Sequence, residues 1–187
     1  MSDKQRFPRA LALGVARELC AALTPACDRM IVAGSLRRKK ADVGDIEILY
    51  IPKKQWRAKQ DFFDQQECNL ADEVIARLLR ECVLEKRVNI KGKTMFGPLN
   101  KLVRHKETGL PVDLFTANVG NWFNNLVCRT GPAASNVRIC EAAIKLGARW
   151  DPYGPGFVVN GLVEPMPTEE AVFNFVGLPY NAPCERR

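Results

Sequence analysis

Two acidic residues interrupt an otherwise apolar run that ends at Pro52. The stretch Asp45-Ile-Glu-Ile-Leu-Tyr-Ile51 alternates polar and apolar residues at its start, which predicts a β-strand. Because successive side chains of a strand point to opposite faces, Asp45 and Glu47 are expected on the same face. Two carboxylates on one face repel each other unless a cation lies between them. The strand therefore carries either a cation site or a pair of solvated acids.

A third acid, Asp113, lies inside a second apolar run, Val112-Asp-Leu-Phe115. Acidic residues are disfavoured in buried strands by both propensity and burial, so this one needs a reason. If the two strands are neighbours, Asp45, Glu47 and Asp113 converge as oxygen ligands for Mg²⁺ or Mn²⁺. Two such ions about 3.5–4 Å apart clamp the attacking and leaving oxygens of a phosphoryl transfer. The acids thus predict a metal-dependent phosphoryl-transfer site.

The segment before the first acidic strand contains a turn and a basic cluster. The apolar run Met30–Ala33 predicts a strand that ends at Gly34-Ser35, and Arg37 and Arg38 follow. Glycine allows a close approach of the backbone to a phosphate, and the two arginines can neutralise a triphosphate. Taken alone, Gly-Ser is more often an ordinary turn and cap than a phosphate-binding feature.

The charge of the chain is strongly basic and unevenly distributed. The formal net charge is +7 over 187 residues, and residues 86–106 contain several basic side chains and no acid. Together with residues 37–40, this segment predicts a polyanionic partner, although a solvated basic face explains the charge equally well.

Some classes of chemistry are excluded by composition. The single histidine, His105, lies in a basic stretch and is expected on the surface, which leaves little room for a Ser-His or Cys-His nucleophile pair. The seven scattered cysteines form no Cys-x-x-Cys pair and favour free thiols in a reducing compartment. No apolar run reaches the length of a membrane span, so we expect a soluble, intracellular (cytoplasmic) protein.

Hydrophobic periodicity predicts both helices and strands. The predicted helices are Arg9–Leu23, Leu70–Cys82, Trp122–Cys128, Ala133–Leu146 and one beginning at Thr168. The predicted strands are Met30–Ala33, Asp45–Ile51, Val83–Val88, Thr94–Phe96, Lys101–Arg104 and Leu110–Phe115, with a later hairpin at Phe157–Val163. This order predicts an α+β fold, with a mixed sheet and helices over residues 1–117 and a small, mainly helical module over residues 118–187.

These motifs together resemble the signature of the family X DNA polymerases, which are nucleotidyltransferases related to DNA polymerase β. The resemblance begins with Gly34-Ser35, Arg38 and Asp45-x-Glu47, which align without a gap. It continues through Val112-Asp-Leu-Phe-Thr-Ala117, Thr130-Gly131, Asn136 and Pro183-Cys-Glu-Arg186. It covers residues 30–187, and the size of the chain is similar to that of compact viral repair polymerases in the family.

The resemblance implies a fold, an activity and a set of roles. Residues 1–117 would form a nucleotidyltransferase palm, and residues 118–187 a C-terminal nucleotide-binding subdomain. Asp45, Glu47 and Asp113 would be the catalytic metal ligands for Mg²⁺, with Mn²⁺ as a possible substitute. The residues expected to bind the nucleotide are Gly34, Ser35, Arg38, Gly44, Thr130, Gly131 and Asn136. The implied protein is a monomeric, template-directed DNA polymerase that adds dNTPs at short gaps, with gapped or primer-template DNA as partner and no membrane association.

The sequence also departs from the family pattern. Glu47 stands where these polymerases usually have Asp, and Cys128-Arg129 replaces an aromatic pair beside the nucleotide sugar. Cys140 stands where an arginine often checks the new base pair, although Arg138 is close by. Two alternatives remain open. One is a nucleotidyltransferase that acts on a tRNA, a small molecule or a protein, and the other is a catalytically silent DNA-binding module.

Overall fold

A computed structural model describes residues 5–58, 65–89 and 92–186. The helices are α1 (Arg9–Leu23), α2 (Gly34–Arg37), α3 (Leu70–Arg80), α4 (Trp122–Thr130), α5 (Ala133–Lys145) and α6 (Glu169–Phe175), with short 3-10 helices at Thr24–Ala26 and Pro183–Glu185. The strands are β1 (Phe7–Pro8), β2 (Cys27–Val32), β3 (Asp42–Val43), β4 (Ile46–Pro52), β5 (Lys54–Ala58), β6 (Gln65–Asn69), β7 (Leu84–Lys86), β8 (Asn100–His105), β9 (Pro111–Thr116), β10 (Ala148–Trp150), β11 (Gly156–Val159) and β12 (Leu162–Pro165).

A five-stranded mixed sheet forms the centre of the N-terminal part, in the order β2-β4-β9-β8-β7. Only the contact between β4 and β9 is parallel in this sheet, and the other neighbours are antiparallel. The parallel contact brings the two predicted acid-bearing strands side by side, because Ile46 pairs with Val112 and Ile48 with Leu114. The predicted α+β fold with a mixed sheet is confirmed.

Helices α1 and α3 cover one face of this sheet. Their buried residues, among them Leu19 and Ile75, form one core with Ile46, Ile48 and Val112 of the sheet. Helix α1 has the bounds predicted from its apolar periodicity. Helix α3 begins at the N-cap Asn69, whose side chain accepts a hydrogen bond from the backbone N–H of Asp72 at 3.2 Å.

The opposite face of the sheet contacts the C-terminal part of the chain. Leu49 and Phe115 pack there against Trp122 and Leu126 of α4. Helices α5 and α6 and the three-stranded sheet β10-β11-β12 enclose a separate core around Phe157. The C-terminal module is mainly helical, as predicted, and β11 and β12 form the predicted hairpin. The boundary at residues 117 and 118 stays a prediction.

The prediction that His105 is exposed is wrong. On β8 it shares a face with Lys101 and Val103, and all three are buried under the helices. The His105 Nδ1 atom lies 2.9 Å from Thr108 Oγ1, and its Nε2 atom lies 3.5 Å from Glu18 Oε2 on α1. Asp72 of α3 is the partner of Lys101, and Glu18 of α1 is the partner of His105. The basic segment 86–106 is therefore partly buried.

Two further elements differ from the sequence-based expectation. The antiparallel hairpin of β5 and β6 was not predicted, because its residues show no apolar alternation. The predicted strand at 94–96 is reduced to single bridges at Thr94 and Phe96. Within the described part of the chain, no helix is long and apolar enough to cross a bilayer.

Candidate active site

The three acids lie together on the sheet face that is turned towards the C-terminal module. Glu47 and Asp113 are directly paired in the parallel register of β4 and β9, so their side chains are on the same face. They alternate with the core residues Ile46 and Ile48, which point towards α1 and α3. Asp45 immediately precedes β4 and is half-buried, like the other two acids. The structure therefore brings the three predicted residues to one place.

The electrostatics of Glu47 reflect this crowding. Burial, and after it the negative charges of Asp45 and Asp113, raise the pKa of its carboxyl to about 8. Arg129 and Arg38 oppose the shift by favouring the ionised form. A carboxyl that is held near like charges and away from water is stabilised by a proton or by a cation.

Gly34 is required by the position of Glu47. Its backbone has a φ of +61°, and a Cβ placed on it would lie 1.9 Å from Glu47 Oε2. Any other residue would be strained in this conformation and would push the carboxyl out of its place. The space beside Gly34 is thus used by a predicted metal ligand, whereas the sequence suggested that it serves a phosphate.

Asp113 forms an ion pair with Arg87, which follows β7. The Arg87 Nη2 atom donates a hydrogen bond to Asp113 Oδ1, and both side chains are less than one fifth exposed. Arg87 belongs to the basic segment 86–106, in which no local pattern indicates that it reaches an acid. Pairing across two strands of a sheet depends on strand order, which a single sequence does not fix.

The three acids have the donor atoms that a divalent cation prefers, but they are not arranged as a complete coordination site. The donors are carboxylate oxygens, the ligands that Mg²⁺ and Mn²⁺ prefer, and burial together with the charges of Asp45 and Asp113 raises the pKa of Glu47. Over residues 5–58, 65–89 and 92–186, however, no three acids, cysteines or histidines are already arranged as a metal cage. One oxygen of Asp113 accepts a hydrogen bond from Arg87 in this arrangement.

Arg37 is bound by protein partners, whereas the sequence suggested that it neutralises a triphosphate. Its Nη1 atom donates hydrogen bonds to Thr130 Oγ1 at 2.6 Å and to Glu169 Oε2 at 2.9 Å, and its Nη2 atom donates to Glu169 Oε1. Arg186, which is 2% exposed, donates from Nη2 to the same Glu169 Oε2 at 2.8 Å. Burial alone would raise the pKa of Glu169, but the hydrogen bonds from Arg37 and Arg186 outweigh it and lower the pKa.

Arg38 connects the Gly-Ser turn to the predicted sugar-binding turn. Its Nη1 atom donates a hydrogen bond to the backbone carbonyl of Thr130. Gly131, which ends α4, has a φ of +58°, and a Cβ on it would lie 3.3 Å from Arg38 Nη1. Ser35 lies in α2 beside these groups, and Gly44 is buried in the turn between β3 and β4. The structure brings these predicted nucleotide-binding residues close to the acids.

Several polar atoms in this region are buried without a protein partner. Within the described residues they include Ser35 Oγ, Arg38 Nε, Arg129 Nε and Asn136 Oδ1. Asn136 uses its Nδ2 atom to donate to the Cys128 carbonyl at 2.8 Å, which ties α5 to α4. Buried polar groups are normally satisfied, so such a cluster is typical of a surface that is completed by a polar ligand.

Arg129 replaces an aromatic residue of the pattern that the sequence resembles, and its own side chain contacts aromatic rings. Its guanidinium carbon lies 3.7 Å from the centre of the Phe115 ring and 4.9 Å from that of Tyr153. The cation is thus within cation–π distance of two aromatic rings, and it also acts on Glu47. Phe115 follows Asp113 by two residues on β9, so the acid and the ring that holds Arg129 share a sheet face.

The comparisons with known proteins agree with this architecture. A profile of the DNA polymerase beta palm matches residues 7–115, more than half of the chain. The crystal structure of Leishmania infantum polymerase beta in a ternary P/T complex has a similar fold, with a TM-score of 0.70 over 98% of this chain and 77% of that one. The two sequences are 17% identical, so this likeness concerns the fold alone. No curated protein sequence matches significantly. By its palm domain, the chain belongs to the DNA polymerase beta family.

Proposed function

We propose that the protein is a template-directed DNA polymerase that adds dNTPs to a primer 3′-hydroxyl at short gaps. The observation that carries this proposal is the convergence of Asp45, Glu47 and Asp113 on one sheet face beside the Gly34-Ser35 turn. Three crowded carboxylates with a raised Glu47 pKa are suited to bind Mg²⁺ or Mn²⁺. When bound there, such ions supply Lewis-acid stabilisation of the phosphoryl group and of the leaving oxygen.

The other residues would bind and orient the nucleotide. Ser35, Arg38 and the amide of Gly44 would hold the β- and γ-phosphates, because they border the acids and two of them have buried polar atoms without a protein partner. Thr130 and Gly131 would lie at the sugar, and Asn136 at the edge of the base. Catalysis of this kind depends on positioning and on charge stabilisation more than on covalent chemistry by the protein.

The proposed partner is gapped or primer-template DNA, bound by a monomer. The structure of the Leishmania infantum polymerase beta, which has a similar fold, is of a ternary P/T complex, and this chain has a net charge of +7. Lys39, Lys40, Arg104 and Lys106 are exposed and available to phosphates. Lys101 is not, because it is buried and its Nζ atom lies 2.8 Å from Asp72 Oδ1. Lys91 lies outside the described residues.

Extension of a labelled primer on a one-nucleotide gapped duplex tests the proposal. Each dNTP and each ribonucleotide is supplied separately, with Mg²⁺ or Mn²⁺. We expect addition of the deoxynucleotide that is complementary to the template base. The ribonucleotide reactions show whether Arg129, at the position of the family's aromatic pair, permits both sugars. Failure to extend any DNA end, with nucleotide and metal still bound, would instead favour a transferase with a tRNA, small-molecule or protein acceptor. Failure to bind metal would favour a silent DNA-binding module.

A further inference from the structure

The side chain of Arg87 reaches Asp113 across an intervening strand. The backbone N–H of Arg87 donates to the Leu102 carbonyl on β8 at 3.2 Å, and Leu102 pairs in register with Asp113 on β9. Two strand spacings amount to about 10 Å, which a long arginine side chain and an aspartate span together. Glu47 pairs with Asp113 from the other side. One row of side chains therefore crosses four neighbouring chain segments, in the order Arg87, Leu102, Asp113 and Glu47.

Arg87 and a divalent cation compete for the same carboxylate. The ion pair is 18% and 17% exposed at its two side chains, so water screens it only in part. A second cation on Asp113 would be repelled by the guanidinium at short range. Asp113 is paired in register with Glu47, so the guanidinium neutralises one of two adjacent carboxylates. With the guanidinium on Oδ1, the Asp113 carboxylate offers less negative charge to a divalent cation, so the two cations compete electrostatically.

The surroundings of Arg87 are suited to a phosphate once the guanidinium leaves Asp113. Its Nε atom is buried without a hydrogen-bond partner among the described residues, so one of its donors is already unused. The neighbouring Lys86 places its Nζ atom 4.4 Å from the centre of the Phe96 ring, and residues 86–106 contain no acid. Arginine binds phosphate oxygens in a bidentate manner, which an ammonium group does not.

We propose that Arg87 is a positioning residue that exchanges partners: it neutralises Asp113 until a divalent cation binds there, and it then holds a backbone phosphate of the bound DNA. This inference rests on the proposed function. It makes the ion pair between Arg87 and Asp113 the contact through which metal binding affects DNA affinity. It makes Arg87 a competitor of the metal in the free protein and a contributor to affinity in the DNA complex.

The first test measures Mn²⁺ binding to the DNA-free protein by electron paramagnetic resonance of the unbound ion. Arg87→Met removes the competing charge and keeps the side-chain bulk, so we expect Mn²⁺ to bind about threefold to tenfold more tightly. Arg149→Met is the matched control, because Arg149 is 68% exposed in the C-terminal sheet. Arg87→Ala is the second neutral variant in case Arg87→Met does not fold. Unchanged or weaker Mn²⁺ binding in the folded variant would overturn the exchange.

A double-mutant cycle identifies the carboxylate that is involved. In an Asp113→Asn background the contested charge is gone, so Arg87→Met is expected to leave the remaining Mn²⁺ affinity unchanged. The same tightening in both backgrounds would show that Arg87 acts through general charge and would overturn the assignment to Asp113.

The second test measures affinity for gapped DNA by fluorescence anisotropy, with Mn²⁺ and with EDTA. We expect Mn²⁺ to strengthen DNA binding by the wild type, and we expect Arg87→Met to lose that gain and to reduce the salt slope by about one. An equal gain in the variant would overturn the phosphate contact. A wild type that binds no DNA would instead reject the proposed function, while the Mn²⁺ measurements would still report on the exchange.

Discussion

At the scale of single residues, the carboxyl of Glu47 is held away from water and beside two other acids. Its pKa of about 8 in the folded protein lies well above the value near 4.3 of an unfolded chain. Between these two values the folded state holds a proton that the unfolded state has released. Stability must therefore fall as pH rises from about 4.3 to about 8. Such a destabilised carboxyl is typical of residues kept for function.

Replacing Glu47 with Gln should stabilise the metal-free protein. The amide has nearly the same shape and carries no charge, so the variant lacks the penalty of ionising a buried group. We expect a gain of roughly 1–3 kcal/mol in the free energy of unfolding at pH 8 and a smaller gain at pH 5. Urea denaturation at the two pH values in EDTA measures it. Glu107→Gln, at an exposed acid, should change stability by less than about 0.5 kcal/mol. Equal urea midpoints for the wild type and Glu47→Gln at pH 8 would contradict the claim that ionising Glu47 beside the other acids destabilises the fold.

At the scale of elements, Glu169 links the two parts of the molecule. It lies in the first turn of α6 and binds Arg37 of α2 and Arg186 near the C-terminus. Helix α2 also carries Ser35, so the same ion pairs fix the turn that we assign to the phosphates. The lowered pKa of Glu169 means that the folded state binds fewer protons than the unfolded state. Its contribution is therefore complete above about pH 4.3 and is lost as pH falls.

Truncation of Glu169 should destabilise the protein strongly. Glu169→Ala leaves the buried cation of Arg186 without its carboxylate, and we expect a loss of about 3 kcal/mol at neutral pH. Chemical denaturation followed by circular dichroism measures the loss. Glu170→Ala removes an equal charge from the next, exposed position and should cost less than about 0.5 kcal/mol. A similar small effect in both variants would show that the ion pairs do not hold α2 against α6.

Elements with a clear period could be predicted from the sequence, and those that depend on distant partners could not. Helix α1 was predicted with its observed bounds, because its apolar positions recur at helical spacing. The strands with Asp45, Glu47 and Asp113 were predicted, but their parallel contact was not, because strand direction depends on partners distant in the sequence. The hairpin of β5 and β6 was missed because it is largely exposed. His105 and Lys101 were misjudged because acids of α1 and α3 satisfy them from outside the local sequence.

The residues of the site also divide into those that local sequence indicates and those that depend on distant partners. Residue types and spacing indicated the acids, the Gly34-Ser35 turn and Arg38. They did not distinguish Arg37 from Arg38, although one binds Glu169 and the other lies beside the acids. Adjacent residues of a short helix point in different directions, and only the packing of α2 against α4 and α6 decides which one faces the site. Arg87 was hidden in a basic segment, since nothing local shows that it reaches β9.

At the scale of the whole molecule, the basic charge should make DNA binding strongly dependent on salt. Neutralised phosphates release counterions, so the logarithm of the affinity falls linearly with the logarithm of the salt concentration. We expect Lys106→Ala to reduce this slope by about one, because Lys106 is exposed. Lys101→Met should leave the slope unchanged and lower stability instead, since Lys101 pairs with Asp72 under α3. Anisotropy titrations over a series of salt concentrations provide the slopes. An affinity that is flat in salt would remove DNA as the polyanionic partner.

The most direct test of the account compares the rate of gap filling by the wild type and by Asp113→Asn under single-turnover conditions. The exchange of one oxygen for an amide nitrogen preserves shape and removes a charge from the paired strands β4 and β9. We predict a loss of about 100-fold or more in the rate of nucleotide addition, with the fold intact by circular dichroism and with Glu107→Gln unchanged. Addition at the wild-type rate by a folded Asp113→Asn protein would contradict the claim that these three acids form the active site.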